Sequence, residues 1–306
     1  MTASNDALYN TLIMLTASFI LLLSASVSYA QMPVFDADRA YSFLTDQCAF
    51  GPRNPGSEGY TSCKKWLIEQ LEHCGGEMFL QNFSGWDPHA NKKRELTNII
   101  ARFGVKEKQP LMLCAHWDSR PVADRDRDLR KSTQPILGAN DGASGVAVLL
   151  EIARILSANP PERAVLIVLF DGEDLGRESH PDEYAQGSRY WALHPLPEIP
   201  HEAILLDMVG DSDLELPIEW YSGTQAPDLQ RSLWEIAAEI GSTAFVDRAG
   251  PRVEDDHVPL LKAGIAAVDL IDFNYPYWHT TQDTPDKCSP ASLGQVGRVI
   301  VEYIYR

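Results

Sequence analysis

Two stretches of the chain are apolar at every position and end in acidic residues, and they constrain the fold more than any other feature. One reads VLIVLF and is followed by Asp171, and the other reads AILLD and ends at Asp207. A strand that is apolar throughout, rather than at alternate positions, is typical of a parallel sheet covered by helices on both faces. We therefore predict an α/β fold, a three-layer α/β/α sandwich with a mostly parallel central sheet.

Other apolar runs alternate with segments of helix-like spacing over the rest of the chain. The strand candidates are residues 97–103, 110–115, 164–170, 203–207, 218–221 and 266–271. The helix candidates are residues 38–50, 57–74, 145–157, 186–194, 228–240, 259–263 and 292–303. No linker-like segment divides residues 31–306, so we predict that they form a single domain.

The charge balance argues against nucleic acid as a partner. The chain carries 26 Lys and Arg against 43 Asp and Glu, which gives a formal net charge of −17. Binding to phosphate groups needs basic patches, so this composition disfavours nucleic acid and anionic membrane surfaces.

The first thirty residues have the pattern of an export signal. Residues 11–30 read TLIMLTASFILLLSASVSYA, and this run ends in a small-x-small sequence at Ser28-Tyr29-Ala30. We predict that residues 1–30 are a signal peptide whose removal leaves Gln31 first. The alternative is an uncleaved membrane anchor, because the apolar run is close to the length that spans a bilayer. Both interpretations place residues 31–306 in an exported compartment, either periplasmic or secreted.

Cysteine content leaves the disulfide pattern open. An exported domain can pair some of its five cysteines, and the odd number leaves at least one of them free within the chain. Cys114 lies in an apolar run and is expected to be a buried thiol. The cysteine spacings do not match a zinc site built from Cys ligands.

Acidic and histidine residues occur in six short motifs, and four of these lie at or just after apolar runs, at the strand ends where α/β sheets collect their ligands. These motifs are His116-Trp-Asp118, Asn140-Asp141-Gly142, Asp171-Gly-Glu173-Asp174, Asp207-Met-Val-Gly210, Asp255-Asp256-His257 and Trp278-His279-Thr280. Glu173 and Asp174 form the strongest of them, because adjacent carboxylates at a buried strand end need a cation or a raised pKa. Neighbouring side chains diverge, so one can bind metal while the other acts as a general base.

Two motifs allow a structural interpretation as well as a functional one. Asp141 precedes a strongly helical segment, so it is either the N-cap of that helix or a carboxylate that faces a cation. Asp255, Asp256 and His257 either begin a helix with acidic first-turn residues or line the site. The charged residues 122–135 are expected to form a solvated loop on the rim of the site.

Histidines and carboxylates together favour a metal ion. His116, His257 and His279 combine with several carboxylates at predicted strand ends. This ligand mixture in an exported enzyme favours zinc. The remaining histidines lie in polar or Pro-rich surroundings and are assigned no role; they are His89, His180, His194 and His201.

In this order the motifs resemble those of the superfamily that contains the zinc aminopeptidases and the animal-type glutaminyl cyclases. The resemblance runs from about residue 40 to the C-terminus and implies an aminopeptidase-like fold. The matching positions are His116/Asp118, Gly138-Ala139-Asn140-Asp141, Glu173/Asp174, Asp207, Asp256-His257 and His279-Thr280.

The two branches differ in their metal content. Resemblance to the aminopeptidases implies two zinc ions, held by His116, Asp141, Asp174, Asp207 and His279. Resemblance to the cyclases implies one zinc ion, held by Asp141, Asp174 and His279, with His116 left as a ligand of a second metal or a support for the first.

Three short stretches of the sequence are similar to those of the cyclase branch. The similar stretches are His116-Trp-Asp-Ser-Arg, Glu254-Asp255-Asp256-His257 and Tyr277-Trp278-His279. We therefore predict a zinc-dependent glutaminyl-peptide cyclotransferase, which converts an N-terminal Gln of peptides to pyroglutamate and releases ammonia. The alternatives are an exported di-zinc aminopeptidase and a receptor-like domain without activity. The intact Glu173 argues against the last of these.

Residue roles follow from the resemblance. It implies that Glu173 moves protons, that Asp207 and Asp255 share a proton network with it, and that Trp278 and Asp255 contact the substrate. The chain departs from the animal cyclases at Asp174, where Glu is usual, and at Ala115, where a Cys pair near the metal is missing. It also lacks a Trp in the sequence LGRESHPDEY that follows the acidic pair.

Overall fold

Strands that are buried along their whole length form the centre of the sheet. The computed structural model describes residues 32–105 and 109–306. Its strands are β1 (Glu77–Asp87), β2 (Lys92–Phe103), β3 (Leu111–His116), β4 (Val165–Phe170), β5 (Glu202–Asp207), β6 (Leu216–Ile218), β7 (Phe245–Ala249) and β8 (Ala266–Ile271). Every residue of β3 and β4 is buried, and all of them except His116 at the end of β3 are apolar.

Six of these strands form one sheet in the order β1-β2-β4-β3-β5-β8. Strands β4, β3, β5 and β8 run parallel, whereas β1 and β2 are antiparallel additions at one edge. In the parallel part His116 lies beside Phe170 and Asp207 lies beside Ile271. The carboxyl ends of four strands therefore meet at one edge of the sheet.

Helices cover both faces of this sheet. They are α1 (Ala37–Ala49), α2 (Glu58–His73), α3 (Ala143–Ala158), α4 (Gln186–Leu193), α5 (Trp220–Gln225), α6 (Pro227–Glu239), α7 (His257–Lys262) and α8 (Pro290–Tyr305). On one face α3 packs against the strands and against α1 and α8. On the other face Trp191 of α4 and Leu260 of α7 pack with Met112 and Val168 of the sheet. The predicted three-layer sandwich is confirmed.

Helix α3 lies very close to the sheet because of one glycine. A Cβ atom added at Gly145 would overlap the carbonyl oxygen of Leu206 in β5 and would lie 3.0 Å from the Cβ atom of Ala115 in β3. The missing side chain lets the first turn of the helix rest directly on two parallel strands. Asp141, which lies just before this turn, is thereby brought to the strand ends.

The structure contradicts one of the predicted elements. The predicted strand 218–221 is wrong, because α5 begins at Trp220. The carboxylate of Glu219 accepts hydrogen bonds from the backbone N–H groups of Tyr221 and Ser222 and so caps a helix there. The sequence pattern also does not predict β1 or β7.

Other expectations concern the cysteines and the N-terminus. All five cysteines are free thiols, and Cys114 is buried as predicted, so the structure contains none of the pairing that an exported domain allows. Residues Pro33–Arg306 form one compact unit. No helix within the described residues is long and apolar enough to span a membrane. The predicted signal segment, residues 1–30, lies outside the described residues.

Candidate metal centre

Histidine and carboxylate side chains meet at the carboxyl ends of the parallel strands. His116 is the last residue of β3, and Asp207 is the last residue of β5. Glu173 and Asp174 follow β4 directly, and His279 lies in the loop that follows β8. Since parallel strands all end at the same edge, residues far apart in the chain come together here.

Two groups of possible metal ligands share Asp141. In the first, His116 Nε2 lies 3.1 Å from Asp141 Oδ1 and 3.2 Å from Asp207 Oδ1. In the second, His279 Nε2 lies 3.2 Å from Asp174 Oδ1 and 3.7 Å from Asp141 Oδ2. Within each group the possible ligand atoms lie within 4.8 Å of one another. The structure thus brings the three predicted ligands of a single zinc ion together, with His116 beside them.

Asp141 does not cap the helix that follows it. The N-cap of α3 is Gly142, which has no side chain that could accept a capping hydrogen bond. Gly142 has a φ of +99°, a conformation that glycine adopts readily and other residues rarely do. A Cβ atom at this position would also lie 3.0 Å from His116 Cε1. The capping interpretation is therefore wrong, and the Asp141 carboxylate faces the two histidines.

Burial and mutual repulsion shift the ionisation of this site. Burial raises the pKa of Glu173 well above its usual range, and the negative charge of Asp255 adds to the shift. Burial also raises the pKa of Asp141, with a further contribution from Asp174. For His279 burial lowers the pKa, which favours the neutral imidazole that binds metals. A cation would offset the repulsion among these carboxylates.

Unpaired oxygen atoms indicate where a cation fits. Asp141 Oδ2 and Asp174 Oδ2 are buried and have no hydrogen-bond partner among the described residues; Asp174 belongs to the group with His279, and Asp141 belongs to both groups. In the other group His116 Nε2 is hydrogen bonded to Asp207 Oδ1 at 3.2 Å, while His116 Nδ1 has no hydrogen-bond partner among the described residues. Carboxylate oxygens and an imidazole nitrogen are ligands that zinc accepts. The group of Asp141, Asp174 and His279 therefore fits a divalent cation.

Two further carboxylates support the motif that contains the acidic pair. Asp118 accepts hydrogen bonds from the backbone N–H groups of Glu173, at 3.2 Å, and Asp174, at 3.3 Å. It also lies 3.5 Å from His116 Nδ1. Asp171 accepts hydrogen bonds from the Tyr60 hydroxyl and from a backbone N–H of β2. These contacts hold the backbone segment that contains Glu173 and Asp174 in place.

A buried arginine contacts the metal group, a role that the sequence motifs do not predict. Arg120 is fully buried, and its Nη1 donates a hydrogen bond to Asp174 Oδ1 at 2.9 Å. The only signal in the sequence is its place as the last residue of His116-Trp-Asp-Ser-Arg. Asp174 reaches the group even though its side chain is shorter than the Glu usual in the animal cyclases, and the contact with Arg120 holds it there.

An open cleft of about 300 Å³ lies over the two groups. Its lining includes Asp141, Glu173, Asp174, His180, Tyr184, Asp207, Asp255, Phe273, Trp278 and His279. The Trp278 ring stacks on His279 with 3.7 Å between ring centroids, and the Phe273 ring centroid lies 5.0 Å from that of Trp278. The loop after the acidic pair has no Trp but contributes Tyr184 to the wall. It also contributes His180, to which sequence reasoning assigned no role.

Asp255, Asp256 and His257 take different positions. Asp255 lines the cleft, whereas Asp256 and His257 are fully buried and do not line it. His257 Nε2 lies 3.3 Å from Glu219 Oε2, and its Nδ1 lies 3.5 Å from Asp269 Oδ2. The site-lining interpretation therefore holds for Asp255 alone, and His257 lies in a buried group with Glu219 and Asp269 instead.

We predict that Glu219 contributes strongly to stability through this buried group. Burial alone would raise its pKa, but the contact with His257 and the backbone N–H groups of Ser222 and Tyr221 lower the pKa from 4.5 to about 2. A carboxylate with a lowered pKa stabilises the fold above its unfolded-state pKa. Replacing Glu219 by glutamine should reduce the free energy of unfolding at neutral pH by about 3 kcal/mol.

Urea unfolding at several pH values measures this effect. The difference between the wild type and Glu219→Gln should be complete above the unfolded-state value of 4.5 and should shrink as the pH falls through about 2. The matched control is Glu215→Gln, because Glu215 forms an exposed ion pair with Arg248 and should change stability by less than about 0.5 kcal/mol. Equal losses in the two variants would contradict the prediction.

Known proteins are similar to this chain in sequence and in fold. The profile of Peptidase family M28 matches residues 98–304. A glutaminyl cyclase of Bacteroides thetaiotaomicron, solved with N-acetylhistamine bound, is 36% identical, with a TM-score of 0.86 over 90% of this chain and 99% of that chain. A Zn-dependent exopeptidase of Parabacteroides distasonis is 33% identical, with a TM-score of 0.87 over 90% of this chain and 99% of that chain. The glutaminyl-peptide cyclotransferase of Bos taurus is 23% identical over 83% of this chain and 79% of its own length.

The family match covers the whole candidate site. Every residue of the two metal groups, from His116 to His279, lies inside residues 98–304. The similar structures include both glutaminyl cyclases and an exopeptidase, so the shared fold does not by itself select the chemistry. The resemblance seen in the motifs is confirmed, and the chain belongs to peptidase family M28.

Proposed function

We propose that this chain is a zinc-dependent glutaminyl-peptide cyclotransferase, an acyltransferase that acts on peptides with an N-terminal Gln. The observation that carries the proposal is the group of Asp141, Asp174 and His279, with Glu173 in the same cleft. Two buried carboxylate oxygens of this group, on Asp141 and Asp174, lack hydrogen-bond partners among the described residues, whereas Asp207 Oδ1 is already hydrogen bonded to His116 Nε2. We therefore propose one zinc ion, at this group. The glutaminyl cyclases among the relatives support the same activity.

The reaction needs a residue that moves one proton. Zinc bound by Asp141, Asp174 and His279 supplies a Lewis acid for the side-chain amide of the substrate. Glu173 takes a proton from the substrate α-amine while the amine nitrogen bonds to the amide carbon. Glu173 then gives that proton to the amide nitrogen, which leaves as ammonia when its bond to carbon breaks. Because both reacting groups belong to one residue held in the cleft, proximity favours closure of the lactam ring.

Three other residues of the cleft complete the proposed site. Asp255 and Asp207 line the cleft together with Glu173, and we assign them to the network that holds its proton. The hydrogen bond from His116 Nε2 to Asp207 Oδ1 fixes the Asp207 carboxylate in this network. Trp278, half-buried and stacked on His279, offers a flat apolar surface for the substrate side chain.

A di-zinc aminopeptidase is the second candidate. It is favoured by the group of His116, Asp141 and Asp207, which shares Asp141 with the first group, and by the similarity to a Zn-dependent exopeptidase. In such an enzyme Glu173 would act as the general base toward water, and the first peptide bond would be cleaved. The predicted zinc content is about two ions instead of about one.

Two peptides distinguish these activities. The zinc-loaded protein is incubated with a Gln-initiated peptide and with the same peptide initiated by Leu, and the products are analysed by mass spectrometry. We expect the first peptide to lose the mass of ammonia and the second to remain unchanged. Shortening of the Leu peptide would identify the protein as an aminopeptidase. If neither peptide reacts although zinc is bound, the domain is a non-enzymatic binding domain.

A further inference from the structure

The metal ligand His279 has a backbone conformation that needs support from outside its own loop. Its φ is +56°, in the left-handed region, which costs a residue other than glycine about 1 kcal/mol or more. The support comes from the charged segment that sequence analysis predicted to be a solvated rim loop. The backbone N–H of Arg125 donates to the carbonyl oxygen of His279 at 3.1 Å, and Asp126 Oδ2 accepts from the N–H of Thr281 at 3.1 Å.

The same segment presents a carboxylate to the imidazole ring. Asp124 Oδ1 lies 3.6 Å from His279 Nδ1, slightly beyond hydrogen-bond distance, while His279 Nε2 faces Asp174 and Asp141. A neutral imidazole carries one N–H, and the position of that hydrogen decides which nitrogen can bind metal. A carboxylate at Nδ1 favours the tautomer with the hydrogen on Nδ1 and leaves the Nε2 lone pair for a cation.

Arg120 connects this carboxylate to a second ligand. Its Nε and Nη2 atoms donate to the two oxygens of Asp124, at 2.8 and 2.6 Å, while its Nη1 donates to Asp174 Oδ1 at 2.9 Å. The bidentate pair fixes the Asp124 carboxylate in orientation as well as position. Asp174, Arg120, Asp124 and His279 therefore form a closed ring of contacts around one side of the metal group.

We propose that Asp124 is a positioning residue of the metal centre, which acts through His279 and Arg120 to orient two of the ligands. The inference rests on the zinc site of the proposed function. A structural alternative exists, in which Asp124 only neutralises the buried charge of Arg120. Under that alternative its loss would destabilise the zinc-free and zinc-bound protein equally and would leave zinc affinity unchanged.

Zinc affinity and zinc-dependent stability test the proposal. Affinity is measured on the full chain by competition with a chelator, and melting temperature is measured with zinc and without it. For Asp124→Ala we expect zinc affinity to fall by about 10- to 100-fold, the range for loss of a carboxylate behind a metal-binding histidine. The increase in melting temperature caused by zinc should shrink correspondingly, because that increase depends on affinity.

Two companion variants make the result specific. Asp124→Asn keeps the shape of the side chain and an oxygen near Nδ1 but removes the negative charge, so its zinc affinity should lie between those of the wild type and Asp124→Ala. It also provides the measurement if the alanine variant does not fold. Asp128→Ala is the matched control, because Asp128 lies in the same loop and pairs with exposed Arg130, and it should bind zinc like the wild type.

The outcomes separate this inference from the proposed function. If Asp124→Ala and Asp124→Asn bind zinc as tightly as the wild type, or melt earlier by the same amount with and without zinc, the positioning role is wrong and the zinc site stands. If the wild type itself binds no zinc, the metal centre of the proposed function is wrong and this inference falls with it.

Discussion

Replacing Glu173 by glutamine is expected to lower the turnover number for a Gln-initiated peptide by about 100-fold or more, the range for loss of a positioned acid-base group. Glutamine keeps the size of the side chain but cannot take a proton from the substrate amine and pass it to the leaving nitrogen. Initial rates of ammonia release measure the effect. Zinc content should stay at the wild-type value, because Glu173 is not among the three ligands.

A matched glutamine substitution controls for general damage to the loop. Glu183 lies in the segment after the acidic pair but pairs with Arg177 and does not line the cleft, so Glu183→Gln should leave turnover near the wild-type value. Near-normal turnover in Glu173→Gln would refute the assignment of the proton carrier. A large loss in both variants would show that the loop, rather than one carboxylate, limits the rate.

Removing a metal ligand is expected to have an effect of similar size. His279→Ala should lose bound zinc and lower turnover by at least about 100-fold, because Lewis-acid stabilisation contributes several kcal/mol and each 1.36 kcal/mol corresponds to about tenfold in rate. Zinc content is measured on the purified protein by elemental analysis, and circular dichroism checks that the variant is folded. A variant that keeps its zinc would contradict the ligand assignment.

His116 provides the comparison that decides between one metal and two. In the single-zinc arrangement His116 supports Asp207 and Asp141, so His116→Ala should keep the wild-type zinc content even if turnover falls. In a two-zinc arrangement the same change removes a ligand of the second ion, and zinc content should drop from about two to about one. The two histidines lie on either side of Asp141, at 3.1 and 3.7 Å from its oxygens, so the substitutions are closely matched.

The strands that carry the site could be predicted because their apolar sequences indicate both that the strands are buried and where they end. The predicted strands 110–115, 164–170, 203–207 and 266–271 agree with β3, β4, β5 and β8 to within one residue at each end. An uninterrupted apolar run followed by a carboxylate leaves few alternatives. For the same reason the apolar runs alone place His116, Glu173, Asp174 and Asp207 at one edge of a sheet.

Elements away from the parallel core could not be predicted in this way. Strand β1 lies at the edge of the sheet and alternates between exposed and buried residues over much of its length, with polar residues and a glycine in its sequence, so its pattern is weak. The segment 218–221 contains aromatic residues typical of a strand, yet Glu219 caps a helix there. A side chain that satisfies backbone N–H groups outweighs the propensity of Trp220 and Tyr221.

The site itself is only partly visible in the sequence. A capping carboxylate and a metal-binding carboxylate look the same along the chain, so the residues around Asp141 allow both roles, and only the geometry of the Gly142 turn separates them. The contacts from Arg120 to Asp174 and from Asp124 to His279 join residues that are far apart in sequence. No sequence spacing indicates such pairs, which is why the charged segment is predicted to be only a solvated loop.

Because α3 packs so closely on the sheet, a substitution on this helix can affect the metal site. The distance from Asp141 to the histidines is set in part at Gly145, where a single methyl group would meet the backbone of β5. This glycine touches neither ion nor peptide. A substitution on this helix could therefore abolish metal binding while every coordinating side chain stays intact. A comparison of the coordinating side chains alone would not detect the loss.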